Sequence, residues 1–182
     1  MSKTMPNTIQ NTVMNTIDAN MIIDLLQLVK HPKEGGFFSE TYRSSQSFQS
    51  DERGIRSVST AIYYLLASNT FSEMHRLESD EVFHFYLGDP VEMLNLYPDG
   101  TGKRIILGSD IMKGMAVQHV VPAGTWMGGR LLPWGTFALM GTTVAPGFNY
   151  SDYHRGEREE LIRLFPAFKE LITLLTHGSD NP

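Results

Sequence analysis

The chain has no cysteine, so disulfides and thiolate metal sites are excluded. It also lacks any apolar run of the ~18 residues a membrane-spanning helix needs. The opening stretch MSKTMPNTIQ holds no continuous apolar core of the signal-peptide kind. These absences predict a cytoplasmic protein with no membrane partner. Basic residues are too few and too scattered to form a phosphate-binding face. The net charge is −5 and the pI near 5.6, which excludes nucleic acid as the expected partner and disfavours anionic membranes. There is no Gly-x-Ser-x-Gly elbow, no phosphate-cradling Gly-x4-Gly-Lys-Ser/Thr loop and no His-Glu-x-x-His helix. A small molecule is the partner that remains.

What is present fits one ordinary core. A chain of 182 residues, 41% hydrophobic and 19% charged, can bury one β or mixed core and a small helical attachment. Residues 1–17 are rich in Thr and Asn and read as a loosely docked arm, with clasping of a partner subunit as the functional alternative. Asp18 is placed to cap a helix whose apolar face runs from Met21 through Leu25 and Val29 to Lys30. His31-Pro32 then stops it, since the residue before proline is pushed out of helical space. His31 itself reads as a helix-end residue.

All but two of the sixteen glycines fall between Gly35 and Gly147, punctuating short runs rich in Val, Ile, Tyr, Phe and Thr. Strands are expected over 37–43, 58–66, 72–77, 81–87, 91–97, 103–107, 117–121, 125–131 and 136–144, separated by Gly, Pro and Asp turns. The run 59–66 is apolar on both faces and reads as a central strand. From Gly156 the pattern turns helical again, with Leu161, Leu164, Phe165, Phe168, Leu171, Ile172 and Leu175 at three- and four-residue steps. Pro166 is expected to open a second short helix there. The whole predicts an all-β sandwich or barrel with helices at both ends, forming one domain over 18–178.

The stretch FSEMHRLESDEVFHFYLG, Phe71 to Gly88, concentrates the residues that could do chemistry. Two strands joined at Glu78-Ser79-Asp80 bring His75 and Glu81 to facing positions. Strict alternation puts Glu81, Phe83 and Phe85 on one face, and Val82, His84 and Tyr86 on the other. By the same rule Ser72 and His75 lie on opposite faces unless a bulge intervenes.

The spacing His75, Leu77, Glu81, Gly88 resembles the first motif of the cupins, His-x-His, three or four residues, Glu, six residues, Gly, with Leu77 replacing the second histidine. Pro122-Ala123-Gly124-Thr125-Trp126 resembles the second motif, with Met127 where its histidine should be. Further blocks are His31-Pro32, Glu34-Gly35-Gly36, Glu40–Ser44, Ser59–Leu66, His84–Pro90 and Thr143–Phe148. Together they make the chain similar, over about residues 18–176, to a cupin subgroup of unassigned function (DUF985), some of whose members have been called predicted sugar epimerases. The resemblance implies a double-stranded β-helix, or jelly roll, commonly a homodimer.

Metal-holding cupins typically use three histidines and a glutamate. Only His75 and Glu81 occupy those positions here, and a thioether at Met127 is a poor ligand for such cations, so no metal and no cofactor are expected, a weakly metal-dependent cupin enzyme being the second alternative. Cupin sugar epimerases work without metal, and by resemblance His75 would be the base, oriented by Glu81. Tyr42, Tyr64 and Tyr150 are the candidate acids. The alternative is a non-catalytic binding protein for a sugar or nucleotide-like metabolite; on either reading Ser72, Phe83, His84, Gln118 and Trp126 line the pocket beside His75 and Glu81. For His119, His154 and His177 a purely structural role is expected.

Overall fold

The structure is a computed structural model that describes residues 17–50 and 53–178. The arm expected over 1–17 falls, except for Ile17, outside these residues. Asp18 caps the first helix (α1, Ala19–Leu26), its carboxylate accepting from the Met21 N–H at 2.9 Å. The helix ends sooner than the apolar spacing predicts. Gln27 turns left-handed at φ 53° and its N–H caps the last turn. Val29-Lys30 then leave as a strand (β1) paired with Phe38 and Phe37. Helical spacing could not reveal that competing ladder.

Eleven further strands follow the Val/Ile/Phe/Tyr-rich runs or their neighbours: β2 (Phe37–Arg43), β3 (Ser47–Ser50), β4 (Gly54–Ser57), β5 (Thr60–Ala67), β6 (Phe71–Leu77), β7 (Asp80–Gly88), β8 (Val91–Leu96), β9 (Gly102–Leu107), β10 (Gln118–Val121), β11 (Trp126–Leu131) and β12 (Phe137–Ala145). A short β13 (Tyr153–Arg155) completes the set. One sheet has the order β1-β2-β5-β12-β7-β10 and the other β13-β6-β11-β8-β9, with β3-β4 a separate hairpin. β5 lies between β2 and β12, an interior position, as its two-sided apolarity requires. This is the jelly roll that the resemblance implied.

Alternation sorts the side chains into three cores. Tyr64, Leu66, Phe83, Phe85, Met93 and Met140 fill the space between the sheets. Leu65 and Leu139 point the other way and pack under Ile22 of α1. On the outside of the second sheet, Met74, Leu94 and Leu96 are covered by α2 (Arg158–Leu164) and α3 (Lys169–Leu174), through Leu161, Ile172 and Leu175. Pro166 opens the 3-10 turn that joins these helices. Because Ile172 is fully buried, its truncation to alanine is worth about 2–5 kcal/mol.

Two bulges decide which polar groups enter the sandwich. Opposite Met127 and Gly129 the register of β6 shifts, so that His75 and Ser72 face them with one residue too many between. Glu73 and Met74 both turn outward, the first to Arg155 and the second under the C-terminal helices. Ser72 and His75 consequently share the inner side, which is the bulge case of the alternation argument. The second bulge, between Leu139 and Met140, falls at Tyr86. It comes after His84 and leaves that residue on the outer face.

Candidate functional site

A glycine-containing turn builds the site. Between β1 and β2 the chain reads His31-Pro32-Lys33-Glu34-Gly35-Gly36, with Gly35 at φ 84° and Gly36 at φ 68°. A Cβ on Gly35 would stand 2.4 Å from the Phe71 carbonyl oxygen, and one on Gly36 2.7 Å from that of Leu65. Only glycine fits such an approach. Three hydrogen bonds hold the turn in place. His31 N–H donates to Gly36 O at 3.0 Å, Glu73 N–H to Glu34 O at 2.8 Å, and the Tyr64 hydroxyl to Gly35 O at 2.9 Å. The Glu34 side chain is thereby fixed next to the β6 bulge.

The two imidazoles that meet Glu34 are in opposite tautomers. The backbone N–H of Glu34 donates to His31 Nδ1 at 2.9 Å. An N–H can only donate, so Nδ1 is the acceptor and the ring proton sits on Nε2. His75 Nδ1 lies 2.7 Å from the Glu73 carbonyl oxygen, which can only accept. His75 therefore carries its proton on Nδ1 and a free lone pair on Nε2. Both Nε2 atoms lie 3.7 Å from the same carboxyl oxygen, Glu34 Oε1, just beyond hydrogen-bond length. His75 Nε2 has no partner within bonding distance and its side chain is 0% exposed. Its ring stacks on Tyr153 at 5.1 Å, and that phenol is also buried without a partner.

A cavity of about 370 Å³ opens beside this cluster. Glu34 and Glu81 line it together with His31, while Leu77, Phe38, Phe148 and Tyr150 supply apolar wall. Glu81 Oε2 is buried and unpartnered. Burial pushes the Glu34 carboxyl up to about 8. It pushes Glu81 up to about 7, with repulsion from Glu34 adding to it, while His75 and Thr142 pull back. The two titrate as a unit. Burial acts oppositely on the bases. It holds His31 down at about 4, with His75 and Lys33 contributing, and it lowers His75 despite the attraction of Glu81. Near neutrality the cavity floor thus consists of the uncharged His31 imidazole and two carboxyls that share protons, with the uncharged His75 imidazole behind Glu34.

The residues singled out from sequence separate into groups. Glu81 lines the cavity, whereas His75 stands behind Glu34 and reaches the hollow only through it. Ser72 is buried on the inner side of β6, and Phe83 belongs to the core between the sheets. Trp126 packs against the C-terminal helical cluster with the Arg76 guanidinium 4.9 Å from its ring centre. His84 and Gln118 meet each other on the outer face, Gln118 Nε2 to His84 Nδ1 at 3.3 Å, with Thr143 Oγ1 3.2 Å from His84 Nε2. None of Ser72, Phe83, His84, Gln118 and Trp126 lines the cavity. Of the three tyrosines, Tyr150 is in its wall, Tyr64 is committed to the Gly35 carbonyl, and Tyr42 is exposed. Met127 is core.

Sequence reasoning passed over Glu34 and treated His31 as a helix end. The available signal was two titratable residues set in a Pro/Gly-Gly turn, the kind of loop that carries chemistry on a rigid scaffold.

Comparison with known proteins agrees with this architecture. A family model described as the cupin superfamily, DUF985, matches residues 20–155. An uncharacterized protein of Saccharomyces cerevisiae is 32% identical over 153 residues, 76% of each chain. A hypothetical protein from Leishmania major superposes with a TM-score of 0.83 at 29% identity, over 89% of this chain and 100% of that one. A Shewanella oneidensis protein gives 0.82 at 30% identity, over 90% and 100%. A mutant oxalate decarboxylase of Bacillus subtilis, at 13% identity and TM-score 0.52 over 82% of this chain and 38% of its own, shares the fold alone.

Proposed function

The chain belongs to the DUF985 family of the cupin superfamily, and we propose that it is a small-molecule-binding cupin whose cavity moves a proton on its ligand without a metal, as an isomerase or epimerase does. The observation that carries this reading is the pair of carboxyls, Glu81 buried and Glu34 12% exposed, facing one cavity with the His75 Nε2 lone pair directly behind. Two carboxyls facing one ligand can divide into base and acid. Glu81, whose Oε2 is buried without a partner, accepts a proton from the ligand, and Glu34 donates one to a second ligand atom. His75 stands behind Glu34, its Nε2 3.7 Å from Oε1, so it serves as a positioning residue and does not touch the ligand.

The donor set argues against a resident metal. His31 Nε2 holds its proton because Nδ1 is taken by backbone N–H groups. Leu77 has no donor, and the Met127 thioether is packed in the core. What is left facing the cavity is two carboxyls, since the His75 imidazole stands behind Glu34, fewer than the three protein ligands of a catalytic zinc site.

The full burial of His75 also favours a second reading, a binding protein that returns its ligand unchanged. Incubation with a metabolite extract in D₂O separates the two. Under the first reading, the wild-type protein adds deuterium to a compound at a carbon that Glu81→Gln leaves unlabelled, as mass spectrometry would show. A compound retained by the protein but never labelled supports binding alone and defeats proton transfer.

A further inference from the structure

Most buried acids in the described residues have an arginine partner. Glu73 takes Arg155 at 2.8 Å, Glu92 takes Arg130 at 3.0 Å and also Arg104, and Asp152 takes Arg56 at 2.6 Å. The cavity departs from this pattern. Its one guanidinium, Arg43, is spent on Glu40 through two hydrogen bonds of 3.0 and 2.7 Å and on the Phe148 carbonyl at 3.2 Å. Lys33 directs its ammonium to the Tyr150 and Tyr153 rings, 5.4 and 5.1 Å from their centres, and pairs with neither deep carboxyl. Glu34 and Glu81 have no Lys or Arg partner among the described residues, and Glu81 Oε2 has no partner of any kind. The wall around them is aromatic: Phe38, Phe148 and Tyr150, the last two edge to face at 5.0 Å.

We propose that the ligand is a small organic cation, an amine, amidine or guanidine on a compact apolar body, whose charge takes the place of the missing arginine between Glu34 and Glu81. This rests on the reading of the cavity as a small-molecule site and fixes the class of molecule it takes. Two carboxylates supply the charge and the acceptors, and aromatic faces supply the cation–π wall that suits a desolvated organic cation. The size agrees, since about 370 Å³ lies in the usual range of ligand pockets. An anion would face two carboxyls with the one cavity guanidinium among the described residues already engaged, and a neutral molecule would bring no charge to balance them once ionised. Because the empty pair holds protons near neutrality, cation binding expels one, and affinity must rise with pH.

Three near-isosteric probes isolate the charge: benzamidine, benzamide and benzoate, titrated calorimetrically into the intact protein. At pH 8 benzamidine is expected to bind at least about tenfold more tightly than benzamide, with benzoate weakest. Between pH 6 and 8 its affinity is expected to rise by up to about tenfold per unit, the signature of one proton released. Glu34→Gln and Glu81→Gln should each reduce the preference for benzamidine, and the pH series on unaltered protein stands even if a variant folds poorly. Benzamide or benzoate binding as tightly as benzamidine overturns the cation and leaves the pocket. Failure of all three below about 10 mM overturns both. Mn²⁺ or Zn²⁺, added alone, binding more tightly and displacing benzamidine would replace the organic cation by a metal.

Discussion

Glu92 and Glu81 are both buried carboxylates on consecutive β strands that belong to opposite sheets of one sandwich, 2% and 7% exposed, yet their surroundings differ. Glu92 points outward from β8, and its oxygens are taken by Arg104 and Arg130 on the two flanking strands. The arginines satisfy the charge that burial would otherwise make costly. Glu81 points inward from β7 toward Glu34, into a cavity with no free cation among the described residues. A protein that supplies arginine to Glu73, Glu92 and Asp152 and withholds it from two carboxyls in one hollow has left a position for something else.

The largest effect should come from making the first acid resemble the second. Arg104→Met with Arg130→Met leaves the Glu92 carboxylate buried alone, at a cost on the order of 3 kcal/mol, or about 6–12 °C in melting temperature for a chain of this size. A loss below 1 kcal/mol would remove the distinction between the two classes. A smaller effect is the pH dependence of stability. Folded Glu34 and Glu81 keep protons that the unfolded chain surrenders above about pH 4.5, so their stabilisation is complete below that pH and is lost as pH rises through about 7 and 8. Folded His31 and His75 bind protons less well than the unfolded chain. Their contribution is complete above about pH 6.5 and is lost as pH falls. The two trends offset one another between about pH 4.5 and 6.5. From there to pH 8 the carboxyls act alone, and ligand-free protein should lose on the order of 2 kcal/mol. Denaturant titrations should show the Glu34→Gln, Glu81→Gln double variant losing much less over that interval. The smallest effect belongs to the outer face. His84→Ala should change stability by no more than about 0.5 kcal/mol and leave benzamidine affinity unaltered. A tenfold drop in affinity would move the site to the other side of the sheet.

Much of this was legible in the sequence, for reasons that can be named. Period-2 alternation assigned Glu81, Phe83 and Phe85 to one face and His84 to the other, and the ladder between β7 and β12 keeps that order from Asp80 to Phe85. Turn residues bracketed most of the main strands, and β2 spans 37–43 as the pattern implied. Where the reading stopped, the cause was long-range. α1 yields to β1 because Val29-Lys30 find a partner in Phe37-Phe38. The side of Ser72 depends on a bulge whose evidence lies on β11. The hairpin β3-β4 and the short β13 carry too few residues for a periodic signal. Glu34 entered only as part of a matched block and without a role in the site, because a loop has no period at all. Its place is set by two positive-φ glycines and by a hydrogen bond to Glu73, 39 residues along the chain, and no local pattern could show where that turn lands. Of the pocket residues expected from the sequence, Trp126 is claimed by the C-terminal helices and Gln118 by the outer sheet face, neither of which a local pattern could show.

The most direct measurement is a ¹³C NMR titration of the glutamate side-chain carboxyls, with Glu34 and Glu81 assigned by their Gln variants. If both acids stand in the cavity without a cation, their transitions in ligand-free protein fall together near pH 7–8, and saturating benzamidine moves both downward. Transitions at the ordinary carboxylate position near pH 4.5, unmoved by benzamidine, would contradict it.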